Sequence, residues 1–285
     1  MSSNKIIKNI RYCMRIIPDR MYIQLNYFAH FKKFANLKSP KTYNEKLNWL
    51  KLNDKNPLYT KLVDKYEVKS FVSKIIGEEY IVPTLNVWDD VESIDFDELP
   101  NQFVLKCTHD SEGLVICKDK SKLNILEAKN KLKKALSQNF FFIGREYPYK
   151  NVKPRIIAEP YLEDKVNNEL RDYKFFCFDG DPKFMFIASN RMYDVKFDYY
   201  NLSFEHLNIK QKYNNAVNRI EKPANFDKMI ELSKQLSKNF KHIRVDFYEV
   251  NGKVYFGELT FYHFSGFMPF EPSSWDDVFG DYINL

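Results

Sequence analysis

Arg244, Asp246, Glu258 and Thr260 lie inside two apolar-rich runs, HIRVDFYEV and KVYFGELTFY, on either side of Asn251-Gly252. Asn-Gly between such runs is the strongest short hairpin signal a sequence offers. Residues two apart in a strand share a face, so Arg244 points with Asp246 and Glu258 with Thr260. A half-buried hairpin has no need of charges at these places. Two carboxylates and an arginine gathered together would suit a hard divalent metal and phosphate. Whether they gather depends on the turn. A strict two-residue turn pairs Val250 with Lys253 and puts Asp246 and Glu258 on opposite faces. A three-residue loop, Val250-Asn251-Gly252 with Gly252 left-handed in a bulge, pairs Glu249 with Lys253. Arg244 then lies opposite Glu258, with Asp246 as its diagonal neighbour. The bulged form is the expectation; the alternative is a surface hairpin with cross-strand salt bridges.

A second chemical signal is Lys106, at the end of the apolar run FVLK. The polar turn 107–113, with His109, Ser111 and Gly113, leads into a second strand, LVIC. A lysine there can reach a phosphate whose other oxygens take loop N–H groups. The alternative is a lysine snorkelling off a strand end. Farther on, RIIAEPYLED runs a strand into Glu159 and Pro160, a pattern that often becomes a linker between lobes.

The elements that must position these residues follow from periodicity and punctuation. Thr42-Tyr43-Asn44-Glu45 is a capping box. Pro57 opens a long helix that Gly77 closes, with Asp64-Lys65 on a solvated face in its middle. Residues 80–82 read as a short strand, 89–100 as an acidic connector and 121–138 as a basic amphipathic helix. DYKFFCF and KFMFIAS form a hairpin around Asp179-Gly180-Asp181-Pro182. Residues 194–224 read as irregular, and 226–239 as an amphipathic helix. Residues 1–36 read as two helices broken at Pro18, the first carrying Lys5, Lys8, Arg11 and Arg15. Packing on the body is its expected role; a peripheral membrane contact is the alternative. The pattern is an α+β chain in lobes.

Composition narrows the chemistry. With only 8 glycines in 285 residues, there is neither GxGxxG nor GxxxxGK[ST], which argues against Rossmann and Walker loops. The net charge of +6 suits an anionic ligand such as a nucleotide or acidic sugar. Cys13, Cys107, Cys117 and Cys177 show no metal spacing and read as buried thiols of a reducing, cytoplasmic compartment. No stretch is apolar enough to span a membrane, and the N-terminus lacks a signal-peptide core. HExxH is absent, and no activated Ser, Cys or His nucleophile is evident.

Taken in order, Asp64-Lys65, FVLK with its polar loop, IIAEPYL, DYKFF, and RVDFY followed by FGELTFY resemble the ATP-grasp fold. PKTYNEKLNWLKL, DKYEVKSFV, REYPYK and GELTFY are similar to its TupA-like branch, named for teichuronopeptide biosynthesis and found in capsule and surface-polysaccharide loci. The likeness runs from near Pro18 to the C-terminus. It implies two α+β lobes clasping ATP, preceded by an N-terminal helical segment: residues 1–56, 57–158 and 159–285. It implies Lys65 and Lys106 on the α- and β-phosphates under the 107–113 loop, where His109 and Ser111 sit. Glu159 and the backbone at Tyr161 and Leu162 would meet adenine, and Asp172 the ribose hydroxyls. Asp246 and Glu258 would bind magnesium, with Thr260 where many relatives carry Asn. Arg244 would hold the γ-phosphate, and Lys174 and Arg191 would be further anion contacts. Two departures stand out: Asp110 and Glu112 occupy a loop that is usually glycine-rich, and Thr260 is a weaker metal ligand than an amide.

The implied activity is an ATP- and magnesium-dependent carboxylate–amine ligase working through an acyl phosphate. Its partners would be a carboxylate-bearing glycan or sugar precursor and an amine, with no nucleic acid. Its place would be the cytoplasm, with the inner membrane face as the alternative. A glycosyltransferase could use Asp179-Gly180-Asp181 as a DxD motif, but Asp-Gly between strands is ordinary turn chemistry. A protein kinase needs DFG and HRD, and only Phe178-Asp179-Gly180 is present. A non-catalytic adaptor is the remaining rival.

Overall fold

The structure is a computed structural model that describes residues 14–110, 112–165, 169–191 and 193–285. The basic segment ahead of Pro18 therefore lies almost wholly outside the described residues, as do Cys13 and Ser111. In chain order the helices are α1 (Asp19–Phe31), α2 (Tyr43–Asn53), α3 (Leu58–Val63), α4 (Glu67–Ile76), α5 (Ile125–Leu136), α6 (Phe141–Gly144), α7 (Phe226–Ser237) and α8 (Ser274–Asp281). The capping box opens α2 as expected: Glu45 N–H donates to Thr42 Oγ1 at 3.3 Å, and the Glu45 carboxylate accepts from Thr42 N–H at 3.4 Å.

Strands β1 (Asn86–Trp88), β2 (Phe103–Cys107), β3 (Leu114–Cys117) and β4 (Ile156–Pro160) form a four-stranded antiparallel sheet in the order β1-β4-β2-β3. One face packs on α5, through Leu105, Cys107 and Ile156 against Ala128, Leu132 and Ala135. Strands β5 (Asp172–Phe178), β6 (Asp181–Ser189), β7 (Lys196–Asn201), β8 (His206–Leu207), β9 (His242–Val250) and β10 (Lys253–Thr260) form a six-stranded antiparallel sheet in the order β10-β9-β5-β6-β7-β8. Alternation sends Phe175, Val245, Phe247 and Leu259 into a core with α7. Helices α3 and α4 also pack in this larger core, through Tyr59, Leu62, Val68 and Val72. The stretch 58–76 thus sides with the six-stranded sheet, although it precedes the smaller one in sequence.

Three local expectations are corrected. The long helix after Pro57 breaks at 64–66, because buried Asp64 leaves the helical conformation and caps α4, accepting from Tyr66 and Glu67 N–H at 2.8 and 3.0 Å. The strand expected at 80–82 is a short 3-10 turn running into loop, and pairing begins only at Asn86. The stretch 194–224 supplies β7, whose Phe197, Tyr199 and Tyr200 are buried, so its polar flanks masked a strand. Asp179 and Gly180 adopt φ values of 48° and 84° in the β5–β6 turn, matching the turn-chemistry reading. Cys107, Cys117 and Cys177 are free and buried.

Candidate active site

The β9–β10 hairpin closes with a strict two-residue turn: Val250 pairs with Lys253, and Asn251 and Gly252 have φ of 51° and 77°. The bulged three-residue loop expected from the sequence is not what forms. The extra residue lies farther along, where the pairing shifts between Phe256 and Glu258 and leaves Gly257 as a β-bulge. One inserted residue flips every side chain beyond it. Glu258 is thereby set directly opposite Asp246, and Thr260 opposite Arg244. A Cβ at Gly257 would lie 3.1 Å from the Asp246 carbonyl oxygen, which explains glycine at the bulge.

Strand β5 flanks β9 on its other side, with Lys174 across from Asp246, Phe176 from Arg244 and Asp172 from Tyr248. One sheet face therefore carries a lattice of alternating charge. Arg244 forks Asp246, Nε donating to Oδ1 at 2.7 Å and Nη2 to Oδ2 at 2.8 Å. Nη2 also reaches Glu258 Oε1 and Thr260 Oγ1, both at 2.9 Å. Lys174 joins Asp246 and lies 3.3 Å from Asp172, which also pairs with Arg191. Burial pushes the Glu258 carboxyl up, but Lys174 and Arg244 outweigh it and hold it down at about 2. Burial dominates at Asp246 and raises its pKa, against the pull of Arg244 and Lys174.

Nη1 of Arg244 donates to His263 Nδ1 at 2.7 Å. Arginine only donates, so this imidazole is neutral with its proton on Nε2, which donates to Gln211 Oε1 at 2.7 Å. Gln211 in turn accepts from Tyr199 and donates to the Met268 carbonyl, both at 2.9 Å. Burial and the Arg244 charge push the His263 pKa far down, in keeping with that tautomer. His263 was not singled out in the sequence, where it is one of five scattered histidines with no spacing signal.

Facing this lattice is the smaller sheet. A cavity of about 210 Å³ lies between Lys65, Lys69 and Lys106 and the β5, β9 and β10 residues Asp172, Lys174, Tyr248 and Glu258. It adjoins a larger one of about 610 Å³ whose walls include Val104, Leu114, Ile116, Tyr161 and Leu162. Lys106, Glu159, Arg191 and Tyr248 line both, so the two are one cleft, whose larger end mixes these apolar walls with Lys118 and Glu169. Of the hairpin cluster Glu258 is on the wall, whereas Arg244, Asp246 and Thr260 lie behind it. Glu159 sits between Lys69 and Lys106, 2.5 Å from each. Burial alone would raise its pKa; the two lysines hold it below the ordinary value. Lys69 is the wall cation the sequence reading missed. The break before α4 frees Lys65 from the helix, so it reaches the Asp110 carbonyl oxygen, and Lys69 follows one turn on.

Two expected phosphate-loop features are placed differently. His109 is buried and turned to α5, its Nε2 meeting the carbonyls of Ala135 and Gln138 at 3.2 and 3.1 Å, and it is not on the cleft wall. The Asp110 carboxylate curls back to accept from Gly113 N–H at 3.0 Å, so a loop donor that could face phosphate is already engaged. Gly113 itself has no room for a side chain, since a Cβ would meet Cys107 Sγ at 2.5 Å. Glu112 is exposed.

The oxygen donors of Glu258, Asp246 and Thr260 suit a hard cation. Among the described residues no cluster of three or more His, Cys, Asp or Glu joins them. A magnesium ion held there would thus complete its shell with phosphate and water oxygens, as magnesium in nucleotide sites does.

A family model described as TupA-like ATPgrasp matches residues 45–284. The chain belongs to this family. The fold is accordingly the ATP-grasp fold, of α+β class. No curated protein matches the chain. Among solved structures it is similar to D-alanine–D-alanine ligase from Helicobacter pylori, with 15% identity over 78% of this chain and 61% of that one, TM-score 0.43. It is also similar to the ATP-grasp ligase PsnB complexed with minimal precursor, at 11% identity, 79% and 62% coverage and TM-score 0.42. A third is D-alanine–D-alanine ligase from Bacillus anthracis complexed with ATP, at 18% identity, 70% and 53% coverage and TM-score 0.39. The TupA-like chain spans between about half and three-fifths of the length of these structures. No described helix is long and apolar enough to cross a membrane.

Proposed function

We propose that the protein is an ATP- and magnesium-dependent ligase that joins a carboxylate to an amine through an acyl phosphate. One observation carries the reading: Glu258, on the charged wall of the cleft, pairs across the hairpin with Asp246, and Arg244 bonds both from just behind that wall. The larger end suits a purine beside Glu159 and the backbone of Tyr161 and Leu162, with Asp172 on the ribose hydroxyls. Lys65 and Lys106, joined by Lys69, would take the α- and β-phosphates. Arg244 would meet the γ-phosphate, with Lys174 and Arg191 as further anion contacts. Asp246, Glu258 and Thr260 would hold magnesium, which when bound neutralises phosphate oxygens.

On this reading the acceptor carboxylate oxygen attacks the γ-phosphorus, and the bond to the β,γ-bridging oxygen breaks, releasing ADP. The amine nitrogen then attacks the acyl carbon, losing a proton and expelling inorganic phosphate. Arg244 stabilises the equatorial oxygens during transfer, and the fixed cleft supplies positioning; little covalent work falls to the protein. The family points to bacterial surface or capsular polysaccharide synthesis, with a uronic-acid-type carboxylate joined to an amino acid or amino sugar in the cytoplasm. The test is purified protein with ATP, magnesium and a panel of uronic-acid glycans and amines. ADP and phosphate should appear only with both co-substrates, and hydroxylamine should trap a hydroxamate. Release of AMP and pyrophosphate, or sugar transfer without ATP, overturns the proposal.

A further inference from the structure

Helix α1 has two apolar faces. Tyr22, Ile23 and Tyr27 are buried against the body. Met21, Leu25 and Phe28, at the i, i+4, i+7 spacing of a single helical stripe, point the other way and are 57%, 41% and 46% exposed. Phe34, 62% exposed, packs on Phe28 with ring centroids 5.0 Å apart and extends the stripe, and Ile16 is almost fully exposed before it. A contiguous apolar face of this kind, left in water, marks a contact surface.

The surrounding charge says what it contacts. Arg20, Lys32, Lys33 and Lys38 are exposed within α1 or just after it, and Arg15 is exposed just before it with its guanidinium 4.6 Å over the Phe142 ring. The sole acidic residue in the first 41 is Asp19, and it turns inward to buried Arg145 at 3.3 Å. Those 41 residues hold nine Lys and Arg against that one Asp, more than the whole chain's net charge of +6, so the remainder is net negative. An exposed apolar stripe edged by cations fits the interface of an anionic bilayer, where apolar side chains enter the acyl boundary and cations meet headgroup phosphates. Nucleic acid would use the cations but leave the stripe in water.

We infer that the outward face of α1, with its basic flanks, is the surface by which the protein lies on an anionic phospholipid membrane. The inference is independent of the ligase reading. The test is sedimentation of the full chain with phosphatidylcholine vesicles made with and without phosphatidylglycerol. Binding is expected only with phosphatidylglycerol, and is lost near 1 M salt, where screening acts within about 3 Å. Leu25→Glu with Phe28→Glu should weaken it at least tenfold with the thermal midpoint unchanged. Should that pair unfold the protein, Arg20→Glu with Lys33→Glu probes the same face without touching packing and should give the same loss. The inference is overturned if the wild-type chain ignores anionic vesicles, or if either folded pair binds them as the wild type does. It is also overturned if the stripe instead mediates self-association, or if deleting residues 1–13 abolishes binding while the Glu pair does not.

Discussion

Replacing His263 by phenylalanine isolates the contribution of the buried relay behind Arg244. The ring packs edge-on to Phe176, 4.9 Å between centroids, and lies against Phe264 at 4.2 Å, so a phenyl group fills the same space. What disappears is the acceptor for Arg244 Nη1 at 2.7 Å. A buried donor left without a partner costs about 1–3 kcal/mol, more for a charged group. Gln211 keeps Tyr199 as a donor, so the loss concentrates on the guanidinium. Unfolding free energy should fall by about that amount, and the freed guanidinium should hold a γ-phosphate less well. Since 1.4 kcal/mol is tenfold in affinity, the dissociation constant of a magnesium complex of β,γ-imido-ATP should rise about tenfold or more. That of magnesium ADP, which has no γ-phosphate, should stay as it was. His263→Asn returns an acceptor near the Nδ1 position and should recover most of the difference. Calorimetric titration of both nucleotides decides it. An equal loss for ATP analogue and ADP would show that His263 serves packing alone and would refute the reasoning.

Three further outcomes follow from the same geometry. Glu258→Gln and Asp246→Asn should each lower magnesium-dependent turnover by about 100-fold or more. The second should also lower denaturant stability, by about 1–3 kcal/mol, because it removes the buried charge that Arg244 and Lys174 share; Asp179→Asn, in a turn, should change neither. Gly257→Ala brings a methyl group to 3.1 Å from the Asp246 carbonyl and should cost about 1–3 kcal/mol in urea unfolding while weakening magnesium binding. Finally, His242 is held neutral by burial, its pKa down at about 3, and His263 is pushed below its ordinary value for the same reason. The unfolded chain takes up protons around and below about pH 6.5 that these two refuse, so stability is full well above 6.5 and declines as pH falls through it. Between pH 6.5 and 5.0 His242 should cost about 1.7 kcal/mol, with His263 adding in the same direction, read from urea unfolding at the two pH values.

What could be read from the sequence divides along a physical line. The set of residues that must face one another was legible, because alternation with period two and the placement of charge in an apolar run constrain faces strongly. Arg244, Asp246, Glu258 and Thr260 do gather, and Lys106 does end a buried strand across from them. The device that gathers them was not legible. Asn251-Gly252 and Gly257 both satisfy the demand for one extra residue; the bulge forms at the second, where the strand runs so close to the Asp246 carbonyl that glycine fits best. Lys69 and the Asp64 break were hidden for a related reason. An Asp-Lys pair inside an amphipathic run reads as a helix face until Arg155, 3.0 Å from Asp64, supplies the tertiary partner that holds the break. His109 shows the converse. A histidine in a short polar loop suggests a ligand contact, but the loop packs so closely on the end of α5 that the imidazole finds the carbonyls of Ala135 and, just past the helix, Gln138.

The charges of the cleft also bear on why a metal should accompany the nucleotide. Glu159 holds Lys69 and Lys106, Asp172 holds Lys174 and Arg191, and Asp246 holds Arg244 and Lys174. Most wall cations are thus matched to a carboxylate of the same wall, which makes such a cluster tolerable under burial. With Arg244 and Asp246 just behind the wall, adding Lys65 gives six cations, and adding Asp110 and Glu258 gives five carboxylates, so the wall and its backing are close to neutral. A triphosphate brings several negative charges to it, and the lysines can meet them only by loosening their hold on Glu159, Asp172 and Asp246. Those carboxylates would then need new partners. On the proposed reading a divalent cation arriving with the nucleotide would supply one at Asp246 and Glu258, which pair beside the bulge. On the proposed reading, the same exchange that seats the phosphates also frees Arg244 from part of its fork on Asp246, and His263 is what keeps the guanidinium in place while that happens.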